Sequence, residues 1–189
     1  MAEIIRNDEL LEAVEEMRAA YKTDRENSTD ETRNAINMAN SKVINITLRS
    51  TFIIPAIINK NTQLVQDSSN HLKFEDKPQA RFMLVKHKSN GTFFPIFTDV
   101  DEFGKIENKD GFQPVNMKFA DIATLTEQTP NVAGFVINPV STNLPYTKEM
   151  LASIKNTLIE ARRKRDAENA ANATGAETPG FTITGNGNN

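Results

Sequence analysis

At 189 residues, with 38% hydrophobic, 25% charged and 7% aromatic side chains, the chain has the size of one globular domain with a modest core. The absence of cysteine excludes disulfides, thiolate metal sites and thiol nucleophiles. No apolar run approaches the roughly 18 residues of a membrane span, and the opening MAEIIRNDELLEAVEE puts acids where a secretory leader needs bases. These features point to a cytoplasmic address without a membrane partner.

The formal net charge is −3, unevenly placed. Residues 1–33 hold ten acids and five bases, a balance of −5, whereas residues 34–165 sum to +5. Beyond Arg165 the only charges are Asp166, Glu168 and Glu177. No field of one sign covers the molecule, which argues against a nucleic-acid partner.

Leu10, Val14, Met17 and Tyr21 recur at helical spacing behind Asp8 and Glu9, whose charges suit a helix N-terminus. Ser28-Thr29-Asp30-Glu31 has capping-box spacing, from the Ser28 hydroxyl to the Glu31 carboxylate. It opens a second helix that puts Ile36, Ala39, Val43 and Ile46 on one stripe. Thr51–Ile58 is β-branched and apolar, but Pro55 cannot donate to a ladder, which predicts an edge position or a bulge. Residues 81–86 and 92–97 flank an Asn90-Gly91 turn and read as a hairpin. Phe93, Pro95 and Phe97 share one face of its second strand and Phe94 and Ile96 the other, so that strand is predicted to be central and covered on both sides.

Phe112–Met117 and Val132–Ile137 supply two more strands, with a short helix over 119–128 that turns Ile122 and Leu125 inward. A third long helix starts near Thr147 after Pro145, carries Leu151, Ile154, Leu158 and Ala161 inward, and ends in Arg162–Arg165. Helices around a hairpin-connected middle define an α+β class. The expectation is a single domain over residues 1–165, with a mixed, mostly antiparallel sheet of about five strands. Residues 166–189 hold four of the eight glycines and read as a disordered polar tail, in which only Phe181–Ile183 could form a strand.

The histidines, His71 and His87, stand apart and read as surface residues, and no metal-binding histidine spacing occurs. Asp99 to Asp110 partly echoes a calcium loop, but Phe103 occupies a position that needs an oxygen ligand and the flanks are not helices, so the segment reads as a helical turn. A glycine-rich phosphate loop is absent. Arg162–Arg165 reads as a solvated helix cap. The four Asn-x-Ser/Thr sequons are composition in a chain of this address. The residues therefore predict no catalytic group, no metal and no cofactor, and the chain is not expected to be an enzyme.

Two stretches carry a family pattern. One is Phe94-Pro-Ile-Phe-Thr-Asp99, leading into an acidic turn with Phe103; the other is Gly134-Phe-Val-Ile-Asn-Pro139, followed by Asn143-Leu-Pro145 and a helix from Thr147. With the upstream helix running into TFIIPAI, they resemble the SseB N-terminal domain over roughly residues 30–160. The resemblance implies a small cytoplasmic bacterial α+β domain without established catalytic residues. Larger members are linked to serine sensitivity and to enhancement of a sulfurtransferase, and they carry a second, C-terminal domain; the 24 residues after Arg165 are too few for one. Residues 59–80 are also longer and more polar than the pattern requires.

Two functional readings follow. The favoured one is a non-catalytic module that binds a protein partner or regulates one, with Phe97, Asp99, Phe103 and Asn138 as its candidate surface. The alternative is a small-molecule pocket or active site between Asp99 and Asn138, at strand ends where open sheets hold ligands, with Phe97 or Phe103 as its apolar wall.

Overall fold

The computed structural model describes residues 5–59, 64–66, 72–74, 79–88 and 91–174. They fall in two compact units, Met1–Lys148 and Glu149–Asn189.

The first unit opens with an antiparallel helical hairpin. Helix α1 (Asp8–Glu26) buries Leu10, Ala13 and Val14, while Met17 is half-buried and Tyr21 is 42% exposed, so the inward face is the first half of the expected stripe. Helix α2 (Asp30–Arg49) buries Val43, Ile46 and Thr47. Its N-cap is Thr29, one residue after the expected Ser28: the Thr29 hydroxyl accepts from the Thr32 amide, and the Thr32 hydroxyl accepts from the Thr29 amide. A threonine thus closes the capping box where a glutamate was expected.

A three-stranded sheet, a four-stranded sheet and a separate two-stranded pair stand in place of the single sheet of five strands. Strand β1 (Thr51–Asn59) is followed by β2 (Leu64–Gln66) and β3 (Leu72–Phe74), which pair only with each other, and by β4 (Gln79–Phe82). β5 (Val85–His87) and β6 (Gly91–Ile96) form the expected hairpin, with Gly91 at φ +94°. Residues 89–90 of its turn and His71 lie outside the described residues. Helix α3 (Val100–Gly104), strand β7 (Gln113–Lys118), helix α4 (Phe119–Gln128), β8 (Gly134–Ile137) and β9 (Leu144–Thr147) complete the unit. One sheet has the order β4-β1-β7 and the other β5-β6-β8-β9, with β6 and β8 parallel and every other pairing antiparallel. A bridge between Ile53 and Phe97, with bonds of 2.8 and 2.9 Å, ties them together. The segment 81–86 divides between the sheets at Met83-Leu84, which explains why a single strand reading fails there.

Pro55 sits in the central strand β1, against the expectation of an edge or bulge. Its carbonyl accepts from the Met83 amide, just where β4 has ended, so the missing N–H faces a place where no ladder bond is made. Pro114 lies directly opposite on β7, and its own missing N–H faces the free edge. β6 is interior, as expected, with Phe93 through Ile96 all buried. One face of its sheet carries a stacked Phe135–Tyr146 pair, 5.1 Å between centroids, with Phe119 of α4 edge-on to both. The Tyr146 hydroxyl donates to the Thr47 hydroxyl of α2 at 3.1 Å, so α2 and α4 cover that face.

The described part of the second unit is helix α5 from Glu149, the helix itself running from Lys148 to Thr174. It continues nine residues past Arg165, so the expected tail boundary is too early: 166–174 is rich in alanine, the best helix former. Residues 175–189, including Phe181–Ile183, lie outside the described residues. Leu151 is buried, but Leu158 is 49% exposed and Ala161 exposed, so the expected inward stripe holds only at its start. The described residues contain no helix long and apolar enough to cross a membrane.

Candidate functional site

The parallel pairing of β6 with β8 puts Ile96 beside Ile137, and the residues that leave the two strands meet. The Asn138 amide donates to the Ile96 carbonyl at 2.9 Å, extending the ladder by one bond. The Asn138 side chain then closes on Thr98: its Oδ1 accepts from the Thr98 backbone N–H at 3.0 Å, and its Nδ2 donates to the Thr98 hydroxyl at 2.8 Å. That hydroxyl donates onward to Asp99 Oδ2 at 2.9 Å. Asp99 Oδ1 accepts from the Glu102 amide at 2.8 Å and caps α3. Asn138 has φ +46°, a left-handed conformation that asparagine tolerates, and its carbonyl accepts from the Ser141 and Asn143 amides. Among the described residues no buried side-chain polar atom lacks a partner.

An apolar half adjoins this polar brace. Phe97 and Phe103 pack edge to face at 5.6 Å, with Ile53 beneath them and Ile5 and Ile106 against them. Lys109 Nζ lies 5.4 Å from the Phe103 ring centroid. Asn7 donates its side-chain N–H groups to the Thr51 and Thr98 carbonyls, clipping the start of α1 to both sheets.

All four expected site residues therefore come together, but in the interior. Phe97 and Asn138 are fully buried, Phe103 is nearly so, and Asp99 is half-buried and engaged in capping. What reaches solvent is the next layer out. Glu102 accepts from the Ser141 hydroxyl and from Lys105 Nζ, each at 2.5 Å, and that bond to Glu102 holds the Lys105 ammonium above the usual lysine range. Arg18 of α1 pairs with Glu15 and donates to the Thr142 carbonyl. Between α1 and this turn lies an open groove of about 740 Å³, lined by Glu12, Glu15, Glu16, Glu102 and Arg18; Arg18 pairs with Glu15, and Lys42 and Lys105 pair with Glu16 and Glu102.

Glu102 and Ser141 escape a reading by motif because each is a common surface residue. The available signal is Asp99-x-x-Glu102, the spacing of an N-cap and its third helical residue, which marks α3 and Glu102's place in its first turn. A smaller cavity of about 250 Å³ lies on the other face of the four-stranded sheet, over Phe93 and Val136 with Pro139 and Pro145 beside them. Neither Asp99 nor Asn138 lines it. His87 is exposed on β5, at its edge.

Fold and brace together define a small α+β domain in which a mixed sheet is locked at the ends of its two parallel strands. The model of the SseB protein N-terminal domain matches residues 29–153, and the chain belongs to that family. The two stretches that carry the resemblance, 94–99 and 134–139, are the two sides of the brace. No curated protein and no solved structure matches the chain.

Proposed function

We propose that this domain is a non-catalytic protein-interaction module of the bacterial cytoplasm, with the acidic groove beside α3 as its docking face. The observation that supports this reading is the groove itself: broad, open and lined by four carboxylates, of which Glu15, Glu16 and Glu102 pair with Arg18, Lys42 and Lys105. Such a surface suits side chains that bring lysine or arginine, and charge complementarity then favours fast association with the right partner. A small-molecule site between Asp99 and Asn138 is disfavoured, because both side chains are engaged in local hydrogen bonds. The 250 Å³ cavity is below the usual range for ligand pockets, which begins at about 300 Å³.

Pull-down from native lysate with the full chain and with a Glu12→Lys/Glu15→Lys variant tests this. Partners retained by the wild type and lost by the folded variant are the expected result. Equal recovery by both chains sinks the groove. Turnover of a metabolite by the purified protein, found by screening thermal shifts and following any hit, sinks the non-catalytic reading.

A further inference from the structure

Helix α5 carries charge that its own position does not explain. The sequence predicts Arg162, Arg163, Lys164 and Arg165 at the end of the helix, but α5 runs on to Thr174 and leaves them in its interior. The helix dipole favours cations only in the last turn, and like charges on one helix face destabilise it. Arg162 reaches Asp166 at 3.8 Å, whereas Arg163, Lys164 and Arg165 make no ion pair or hydrogen bond among the described residues. All four cations are exposed. Leu158 and Ala161, exposed as well, stand four residues before Arg162 and Arg165, so these four side chains share one face. That face is an apolar stem ending in two guanidinium heads.

We propose that the partner of this face is a second copy of the chain, whose groove beside α3 takes α5. The inference rests on the groove reading above and names the groove's occupant. The groove supplies what the face of α5 lacks. Glu12 lines it without a partner among the described residues. Glu15 and Glu16 are held only by solvent-exposed pairs with Arg18 and Lys42, which contribute little and yield to a guanidinium that binds a carboxylate in two places. Leu11 lines the groove too, and Val100 and Val140 are exposed close in the chain to the lining residues Glu102 and Ser141. Apolar side chains among carboxylates match an apolar stem with guanidinium heads, the complementarity of a helix laid in a groove. Residues 1–33, which include α1, sum to −5, so the field around α1 has the sign that attracts the cluster.

Sedimentation equilibrium of the purified full chain is the test. The average mass should rise with concentration above that of one chain. Raising sodium chloride from about 0.1 M to about 1 M, which cuts the screening length from about 10 Å to about 3 Å, should weaken association about 10-fold or more. Arg162→Glu/Arg165→Glu and Glu12→Lys/Glu15→Lys should each weaken it at least about 10-fold, because each sets like charges face to face. An equal mixture of the two variants should regain association, since each keeps the surface that the other has lost. Glutamate is a good helix former, so the α5 variant keeps its helix; Glu12→Lys alone serves if the double groove variant does not fold. The inference is overturned if the wild-type chain stays monomeric up to about 1 mM, the weak end of specific affinities. It is equally overturned if either folded variant associates like the wild type, or if the mixture regains nothing. Lysate partners lost from the groove variant while the purified wild type stays monomeric would leave the groove standing and remove the second copy as its occupant.

Discussion

The brace between β6 and β8 and the clamp between α1 and α2 both join neighbouring elements through polar side chains, yet they are built differently. In the brace, Asn138 and Thr98 are fully buried and the two bonds between them are made away from water. In the clamp, Glu9, Arg49, Glu16 and Lys42 stand in solvent. A buried polar group must be matched or its desolvation is lost outright, so the brace specifies one geometry of the strand ends. An exposed pair exchanges water for a partner at nearly equal free energy. The family's sequence pattern falls on the brace, while the clamp ties to α2 a helix that precedes the family match.

The interior side of the comparison breaks most sharply at Gly134. A Cβ there would lie 2.0 Å from the Tyr146 carbonyl oxygen and 2.9 Å from the Thr147 Cα, backbone atoms of the paired strand β9. Gly134→Ala should cost about 4 kcal/mol or more, the range reached by severe steric strain in a core. Denaturant unfolding is the measurement, and a variant as stable as the wild type would show that β9 does not pair as described. Next comes Asn138. Replacing it by alanine leaves the Thr98 amide buried without an acceptor and puts a residue less tolerant of the left-handed region than asparagine at φ +46°. The expected loss is about 2–4 kcal/mol, or roughly 5–15 °C in melting temperature for a domain this size. Asn138→Gly removes the same hydrogen bonds but not the conformational ease, so it should cost less than alanine. Equal losses would assign the whole effect to the hydrogen bonds.

Local signals made most elements legible before the structure. Asn90-Gly91 placed the β5–β6 hairpin, the apolar faces of Phe93–Phe97 placed β6 inside, and periodicity placed four of the helices. The splitting of the sheet was not legible, because it falls at Met83-Leu84 inside an otherwise continuous strand pattern, and the Ile53–Phe97 bridge that joins the two sheets spans 44 residues. Pro55 misled for a related reason: whether a missing N–H matters depends on where a neighbouring strand stops, which β1 does not encode. At the site, Asp99 and Asn138 were found as polar residues at strand ends, and their spacing of 39 residues carries no sign that one hydroxyl, Thr98, joins them. Residue type singles them out; burial and hydrogen bonding show that both side chains are engaged within the fold. The nine-residue extension of α5 is hidden because the glycines beyond residue 174 make the whole stretch from Asp166 read as tail, while the alanines of 166–174 favour helix.

Tyr146 sharpens the interior side through pH. Burial raises its pKa above the ordinary tyrosine value, and the hydrogen bond with Thr47 opposes that only in part. The folded state thus holds the phenolic proton more tightly than the unfolded chain. That contribution is fully present below about pH 10, the unfolded value, and is lost as pH rises through the higher folded value. Tyr146→Phe should cost about 1 kcal/mol at neutral pH for the lost hydrogen bond, since the Thr47 hydroxyl keeps its own bond to the Val43 carbonyl. It should also flatten the alkaline fall in stability measured by urea unfolding between neutral pH and pH 11. Parallel curves for wild type and variant would place Tyr146 in contact with water.

The smallest effect belongs to the clamp, and its size is what separates the two regions. Arg49→Gln removes the cation facing Glu9 while keeping a side chain long enough to cover the same surface. Both partners are more than half exposed, so the loss should be at most about 1 kcal/mol in dilute buffer. Salt then decides the nature of what was lost. The screening length falls from about 10 Å at 0.1 M to about 3 Å at 1 M, so the difference between Arg49→Gln and wild type should shrink toward zero in 1 M sodium chloride. The Asn138→Ala difference should stay nearly constant over the same range, because its hydrogen bonds are uncharged and buried. Hydrogen exchange should place the Arg49→Gln loss in the α1 amides alone, with β6 and β8 unchanged. A salt-independent loss above about 2 kcal/mol, spread over the whole unit, would make α1 as integral as the brace, since exposed pairs do not reach that size.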